Sequence, residues 1–204
     1  GMQAGAGRER SEVMNSNLAY KEELREERLG GRTVAMSPRP AFNHNRIASR
    51  IYWLFENHLN GHICTAIGDG TDLYLSEEDR FVPDMMVVCD RNKIQNDGVH
   101  GAPDLVVEVL SPSTAQNDRG YKMGAYQRYG AREYWIVSPS EKNIEQYFLQ
   151  EGAFVLNAVY AVHPDYALRQ MTEEERAAAL APFRCSLFDD MEISISDIFD
   201  GLLQ

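Results

Sequence analysis

No stretch of this chain is apolar for the roughly 18 residues that a membrane-spanning helix needs, so no transmembrane segment is expected in its 204 residues. The first dozen residues, GMQAGAGRERSE, lack the apolar core of a signal peptide, and export is not expected. Cysteine is scarce. Cys64, Cys89 and Cys185 are odd in number and far apart, with no C-x-x-C pair. That argues against a zinc framework and predicts three buried free thiols in a reducing cytoplasm. Basic residues are in deficit, 20 Lys and Arg against 31 Asp and Glu, for a net charge of −11. A broad basic face is therefore not expected, and any polyanion must be met by a local cationic patch or by metal ions. There is no Gly-x-Ser-x-Gly motif. Gly68-Asp69-Gly70 lacks the lysine and helix of a phosphate loop and reads as a turn.

What is present suffices for one core: 44% of the residues are hydrophobic, with no internal repeat and no linker. Residues 1–12 have little to bury and read as a disordered tail, leaving 13–204 as a single domain.

The chain is organised around GAPDLVVEVLSPSTAQNDRGYKMGAYQRYG, residues 101–130. Residues 104–110 are aliphatic on both faces, the pattern of a central strand covered on both sides. Glu108 interrupts that run. An unpaired ionised carboxylate there costs several kcal/mol, on the order of what burying a charge requires, so it needs a cation, a metal or a proton. Ser111-Pro112 ends the strand. Ser113, with Gln116 three residues on, reads as a capping box for a helix running to Tyr129 and stopped by Gly130. Asp118, Lys122 and Tyr126 share one face of that helix. A helix folded back over its strand brings Lys122 toward Glu108.

The remaining pattern predicts an α/β fold. A charged helix is expected over 13–28 and a short strand over 33–36. Residues 41–59 form the first strong helix, with Ile47, Ile51, Leu54 and Phe55 at helical spacing and Trp53 and Leu59 widening the apolar face. Strands at 62–67 and 73–75 read as a hairpin through Gly68-Asp69-Gly70. Residues 77–79 read as a solvated turn, 81–89 as a strand, 90–102 as a loop and 133–137 as a buried strand. Residues 143–149 and 153–159 form a second hairpin, whose aromatic content suits a homodimer surface. Thr172 with Glu175 caps a helix reaching Leu180. Short strands are expected at 183–187 and 191–194, and a helical turn over 196–203.

Asp104 and Glu108 share a face but lie roughly 13 Å apart along a strand, too far to share an ion. Asp84, on the preceding apolar strand, is the candidate partner of Glu108. Two carboxylates with open positions suit a hard divalent cation such as Mg²⁺. Asp104 itself reads as a turn-side acceptor after Pro103. His58 and His62 straddle a helix end and do not read as a metal pair. His44, at the start of the first long helix, reads as a capping residue ahead of the alternative, a contact with the site.

FVPDMMVV, GAPDLVVEVLSPST, the D-x-x-x-K of Asp118 to Lys122, and REYWIVSP resemble the Uma-two family, from about Tyr20 to Phe199. Its members are similar to restriction endonucleases of the PD-(D/E)XK superfamily. The resemblance implies a restriction-endonuclease-like fold, a mixed central β-sheet flanked by helices with peripheral β-hairpins. It implies a nuclease site in which Asp84 and Glu108 hold Mg²⁺ or Mn²⁺. The superfamily lysine position is Leu110 here, and Lys122 is the migrated replacement. An early acidic residue of the family aligns with Glu27, in surroundings (EERLGGR) that depart from the usual pattern. The implied catalytic residues are thus Asp84, Glu108, Lys122 and Glu27, and the implied partner is nucleic acid, DNA rather than RNA. Two rivals stand beside this reading: a binding module on a nuclease fold that has lost turnover, and a plain Glu108–Lys122 salt bridge.

Overall fold

The computed structural model describes residues 25–36 and 39–204. The tail 1–12 and residues 13–24 of the charged helix expected from the sequence lie outside that range.

Two six-stranded sheets carry the fold. The chain opens with a hairpin of β1 (Glu26–Leu29) and β2 (Arg32–Ala35). Helix α1 (Phe42–His58) follows. Strands β3 (Thr65–Gly68), β4 (Leu73–Tyr74), β5 (Arg80–Phe81) and β6 (Met85–Val88) come next. A 3₁₀ turn at Arg91–Lys93 leads to β7 (Ile94–Gln95) and β8 (Gly98–His100). The central strand β9 (Leu105–Val109) is followed by α2 (Ala115–Asn117), a π-helical turn at Asp118–Lys122, and α3 (Met123–Tyr129). Strands β10 (Glu133–Ser138), β11 (Asn143–Gln150) and β12 (Ala153–Ala161) then form a meander. Three short helices complete the chain: α4 (Asp165–Gln170), α5 (Glu173–Leu180) and α6 (Ile195–Phe199).

The larger sheet has the order β12-β11-β10-β9-β6-β3, with β9 and β10 parallel and the other neighbours antiparallel. The smaller sheet has the order β2-β1-β5-β4-β8-β7. Strand alternation splits the apolar residues into two cores. Met85, Val87, Val107, Val109, Trp135 and Val137 meet α1 and the C-terminal segment on one face. Met86, Val88, Val106, Tyr134 and Ile136 meet α3 and the smaller sheet on the other. Glu108 follows the alternation onto this second face. The central strand is thus covered on both sides, as its composition requires.

Several expectations are corrected. The end of the charged helix is instead β1, whose alternating burial places Glu27 and Leu29 inward. Pairing with β2 and β5 overrides the helical propensity of its Glu and Arg residues. The segments around Gly68-Asp69-Gly70 do not pair with each other, because β3 joins the larger sheet and β4 the smaller. The strand expected over 81–89 is broken at Val82-Pro83-Asp84 into β5 and β6, one in each sheet. The loop expected at 90–102 contains β7 and β8. Helix α2 starts after Thr114, and neither Ser113 nor Thr114 makes a side-chain cap. The strands expected at 183–187 and 191–194 reduce to one bridge, Phe183 with Ile193. Trp53 points to solvent, and Asp79 is buried beneath Gly30 N–H, Tyr121 and Arg128.

The cysteine reading is also corrected. Cys64 and Cys89 form a disulfide, and only Cys185 is a free buried thiol among the described residues. The register explains it. Thr65 pairs with Val88, so the two cysteines are the next facing pair at the end of the β3–β6 ladder. Linear spacing carries no trace of that pairing.

Candidate active site

Three elements deliver charge to one point. β9 places Glu108 on its helix-covered face, fully inside the protein. The helix above contributes Asp118 and Lys122 from its π-helical turn, both buried, and Tyr126 from α3. Such a turn widens the helix by one residue and frees backbone groups, a frequent mark of a site under constraint. Here the Asp118 carbonyl accepts a hydrogen bond from the Tyr134 hydroxyl at 2.9 Å. From the smaller sheet, β1 delivers Glu27.

The Lys122 ammonium sits among these carboxylates. Its Nζ lies 2.6 Å from Glu108 Oε1, 3.0 Å from Glu27 Oε1 and 3.4 Å from Asp118 Oδ1. Tyr126 donates its hydroxyl to the same Glu108 Oε1 at 2.6 Å. Glu27 Oε1 also accepts the Val82 backbone N–H at 2.8 Å. Asp84 lies just past the Pro83 break. Its Oδ2 accepts the Val109 N–H at 2.7 Å, which ties it to the end of the Glu108 strand. His44, in the first turn of α1, places Nε2 3.3 Å from Asp84 Oδ1.

The electrostatics follow from three buried carboxylates around one cation. Burial pushes Glu108 well above the usual carboxylate range. Lys122 opposes this, while Asp118, Asp84 and Glu27 reinforce it. Burial likewise raises Asp118, against the pull of Lys122 and a hydrogen bond from Thr114. For Lys122, burial alone favours the neutral amine, but Glu108, Glu27 and Asp118 outweigh it and hold the ammonium well above its ordinary value. His44 follows the same logic: burial lowers it, and Asp84 reverses the balance.

These groups line one cavity of about 300 Å³. Glu27, Asp84, Glu108 and Lys122 all reach it, and so do Asp118 and His44. Arg25 and Arg39 stand in its wall, Arg25 paired with Asp69. The four residues singled out from the sequence are therefore brought together. Asp104 is not among them; it accepts the Cys89 N–H at 2.8 Å and meets Arg132, a structural role. His58 and His62 lie beside Phe188, apart from this cavity. Asp118 and His44 reach the cavity although neither is in the catalytic set named from the sequence. The D-x-x-x-K spacing marked Asp118 as a neighbour of Lys122, whereas nothing in the sequence links His44 to Asp84.

The donor set has the chemistry of a hard-cation site: carboxylate oxygens in excess over positive charge, with Asp118 Oδ1 buried and lacking a hydrogen bond. Its arrangement is that of a lysine-filled site. Among the described residues, no group of three or more His, Cys, Asp or Glu side chains is set to hold a metal ion. Asp84 and Glu108 are the carboxylates that would hold one, with Lys122 as the cation already present.

The mixed sheet flanked by helices is that of a restriction-endonuclease-like chain. The model of the Uma2 (Uma-two) family, described as "Putative restriction endonuclease", matches residues 15–179, and this chain belongs to that family. An uncharacterised protein from Synechocystis sp. is 34% identical over 134 residues, covering 64% of this chain and 70% of the relative. The fold is similar to the crystal structure of a "putative nuclease belonging to DUF820" from Anabaena variabilis. That match has a TM-score of 0.64 and 22% identity, covering 87% of this chain and 90% of the other. Among the described residues, no helix is long and apolar enough to cross a membrane.

Proposed function

We propose that this cavity hydrolyses phosphodiester bonds of nucleic acid, DNA in preference to RNA, with Mg²⁺ or Mn²⁺ held by Asp84 and Glu108. One observation carries the reading: a buried lysine is held by Glu27, Glu108 and Asp118, with Asp84 at the same cavity. A core that needed only apolar packing would not bury four such charges. Bound there, the ion supplies Lewis acidity toward a phosphoryl oxygen and makes a water more acidic.

The chain's own residues do the rest. Lys122 presents a fixed positive charge to the phosphate as negative charge grows on its oxygens. With Glu108 engaged by a cation, Glu27 would still hold that ammonium. Tyr126 fixes the Glu108 carboxylate, and the Val109 N–H with His44 fixes Asp84. Arg25 and Arg39 in the cavity wall are the local cationic groups that a chain of net charge −11 needs to meet a phosphate.

A second reading has its own support. The short Lys122–Glu108 contact and the lack of a three-residue metal group fit a structural salt bridge, or a nuclease fold that binds without turnover. Calorimetric titration with Mn²⁺ separates them without a guess at the substrate. The expected result is binding by the wild type that is lost in Glu108→Gln, together with divalent-dependent cleavage of DNA by the wild type alone. A folded wild type that takes up no Mn²⁺ gives the salt-bridge reading the field. Metal binding without cleavage of any nucleic acid leaves the binding module.

A further inference from the structure

Strand β12 closes the larger sheet, and its outer edge meets no other strand among the described residues. The Phe154 N–H is met by Gln127 Oε1 at 2.7 Å. Beyond it, the outward-facing backbone groups from Val155 to Ala161 meet no other strand among the described residues. Edge strands are ordinarily kept from pairing by brevity, proline or charge. Strand β12 uses none of these. It is nine residues long, and AFVLNAVYA holds no charged residue and no proline, in a chain of net charge −11. Its one irregularity is the register shift that leaves Asn157 out of the β11 ladder. Val155, Leu156 and Val159 are 45%, 48% and 50% exposed.

The elements that follow repeat the anomaly. Helices α4 and α5 have six and eight residues, and neither has a buried residue. Isolated helices this short do not hold in water on propensity alone. Tyr166 and Leu180 stand exposed on them. Open strand and uncovered helices adjoin in sequence over residues 153–180.

We propose that a second copy of this chain pairs antiparallel along the outer edge of β12, continuing the larger sheet across a two-fold axis, with the α4–α5 segment covering the junction. Unpaired backbone N–H and C=O groups at strand spacing are satisfied by an extended strand. An identical strand related by a two-fold axis is always compatible with itself. Two copies of net charge −11 repel, which places their contact where charge is absent. An exposed apolar edge also accounts for the solvent exposure of Val155, Leu156 and Val159.

Sedimentation velocity of the full-length chain over a micromolar concentration series tests this, combined with hydrogen exchange read at the β12 amides. The expected result is a dimer whose outward-facing amides between Leu156 and Ala161 become protected as it forms. Val159→Lys should weaken association roughly thirtyfold or more while the monomer keeps its near-ultraviolet circular dichroism. Should that variant misfold, the concentration dependence of exchange in the wild type decides alone. A monomer with freely exchanging edge amides overturns the proposal. A monomer with protected edge amides also overturns it, since the chain then covers its own edge. So does a dimer in which those amides stay unprotected. None of these results bears on the metal titration, so this surface and the nuclease reading stand or fall separately.

Discussion

Lys122 and Glu108 show how far a single charge can be read from a sequence. A glutamate inside an aliphatic run has to be compensated, and a lysine on the next helix is within reach. Both points follow from composition and spacing alone. Glu27 was reached only through family resemblance, because its own neighbourhood looks like a solvated helix. The D-x-x-x-K spacing marks Asp118 as the neighbour of Lys122, whereas His44 meets Asp84 by convergence of separate elements, which no linear pattern encodes. The cluster has testable energetics. Replacing Lys122 with Met strands Glu27, Glu108 and Asp118 without their cation. Loss of one partner in a buried network costs about 3–5 kcal/mol, so thermal unfolding should fall by on the order of 10 °C. Glu108→Gln should act the other way at neutral pH. The raised Glu108 carboxyl holds its proton to higher pH in the folded chain than the ordinary value of about 4.3 in the unfolded one. Its stabilising effect is therefore full below that ordinary value and is lost as pH rises through the raised one. Asp118 contributes with the same sign. The metal-free wild type should lose melting temperature as pH climbs above the ordinary carboxylate value. Glu108→Gln should lose less and be the more stable protein at the upper end. Melting curves across that range, with chelator present, decide it; a wild type that gains stability over the same rise would contradict the assignment.

Elements were legible where their signal was local. Helix α1 follows its apolar spacing and ends within a residue of expectation. Helix α5 carries the capping box read from Thr172 and Glu175, with both reciprocal hydrogen bonds in place. The central β9–helix–β10 unit and the β11–β12 hairpin also follow the pattern. What failed depended on partners distant in the chain. Strand β1 looks helical until β2 and β5 pair with it, and residues 81–89 look like one strand until two sheets divide them. Gly98 marks such a tertiary constraint. Its φ is +145°, and a Cβ there would lie 2.3 Å from the Asp72 carbonyl oxygen. Gly98→Ala should cost about 1–3 kcal/mol, a melting shift of several degrees, by forcing apart the segment that joins β8 to β4. Gly124→Ala is the control. That glycine lies in α3 with open space where a Cβ would go, so alanine should be neutral or stabilise by roughly 0.5–1 kcal/mol. Equal effects of the two substitutions would contradict the close approach at Gly98.

At the scale of the whole molecule, α1 with the C-terminal segment, the larger sheet, and the lysine helix with the smaller sheet form successive layers. Family membership rests on a match across most of the chain, and the fold on a solved neighbour. The Cys64–Cys89 disulfide fastens one end of the sheet across 25 residues of sequence. By the chain-entropy model a loop of that size stabilises by about 3 kcal/mol, so a reductant should lower the melting temperature by on the order of 10 °C. An unchanged melting curve under reduction would mean that the ladder holds without it. The sequence separations at the site also set an order of events in time. Glu108, Lys122 and Tyr126 belong to one contiguous strand–helix–strand unit, whose short-range contacts close early on the way to the native state. Glu27 meets Lys122 across 95 residues, so the slowest loop closure completes the cavity. Glu27 leaves the ribosome before its partners and finds them last. The charge cluster is therefore expected to assemble at the end of folding, after the central strand is already buried.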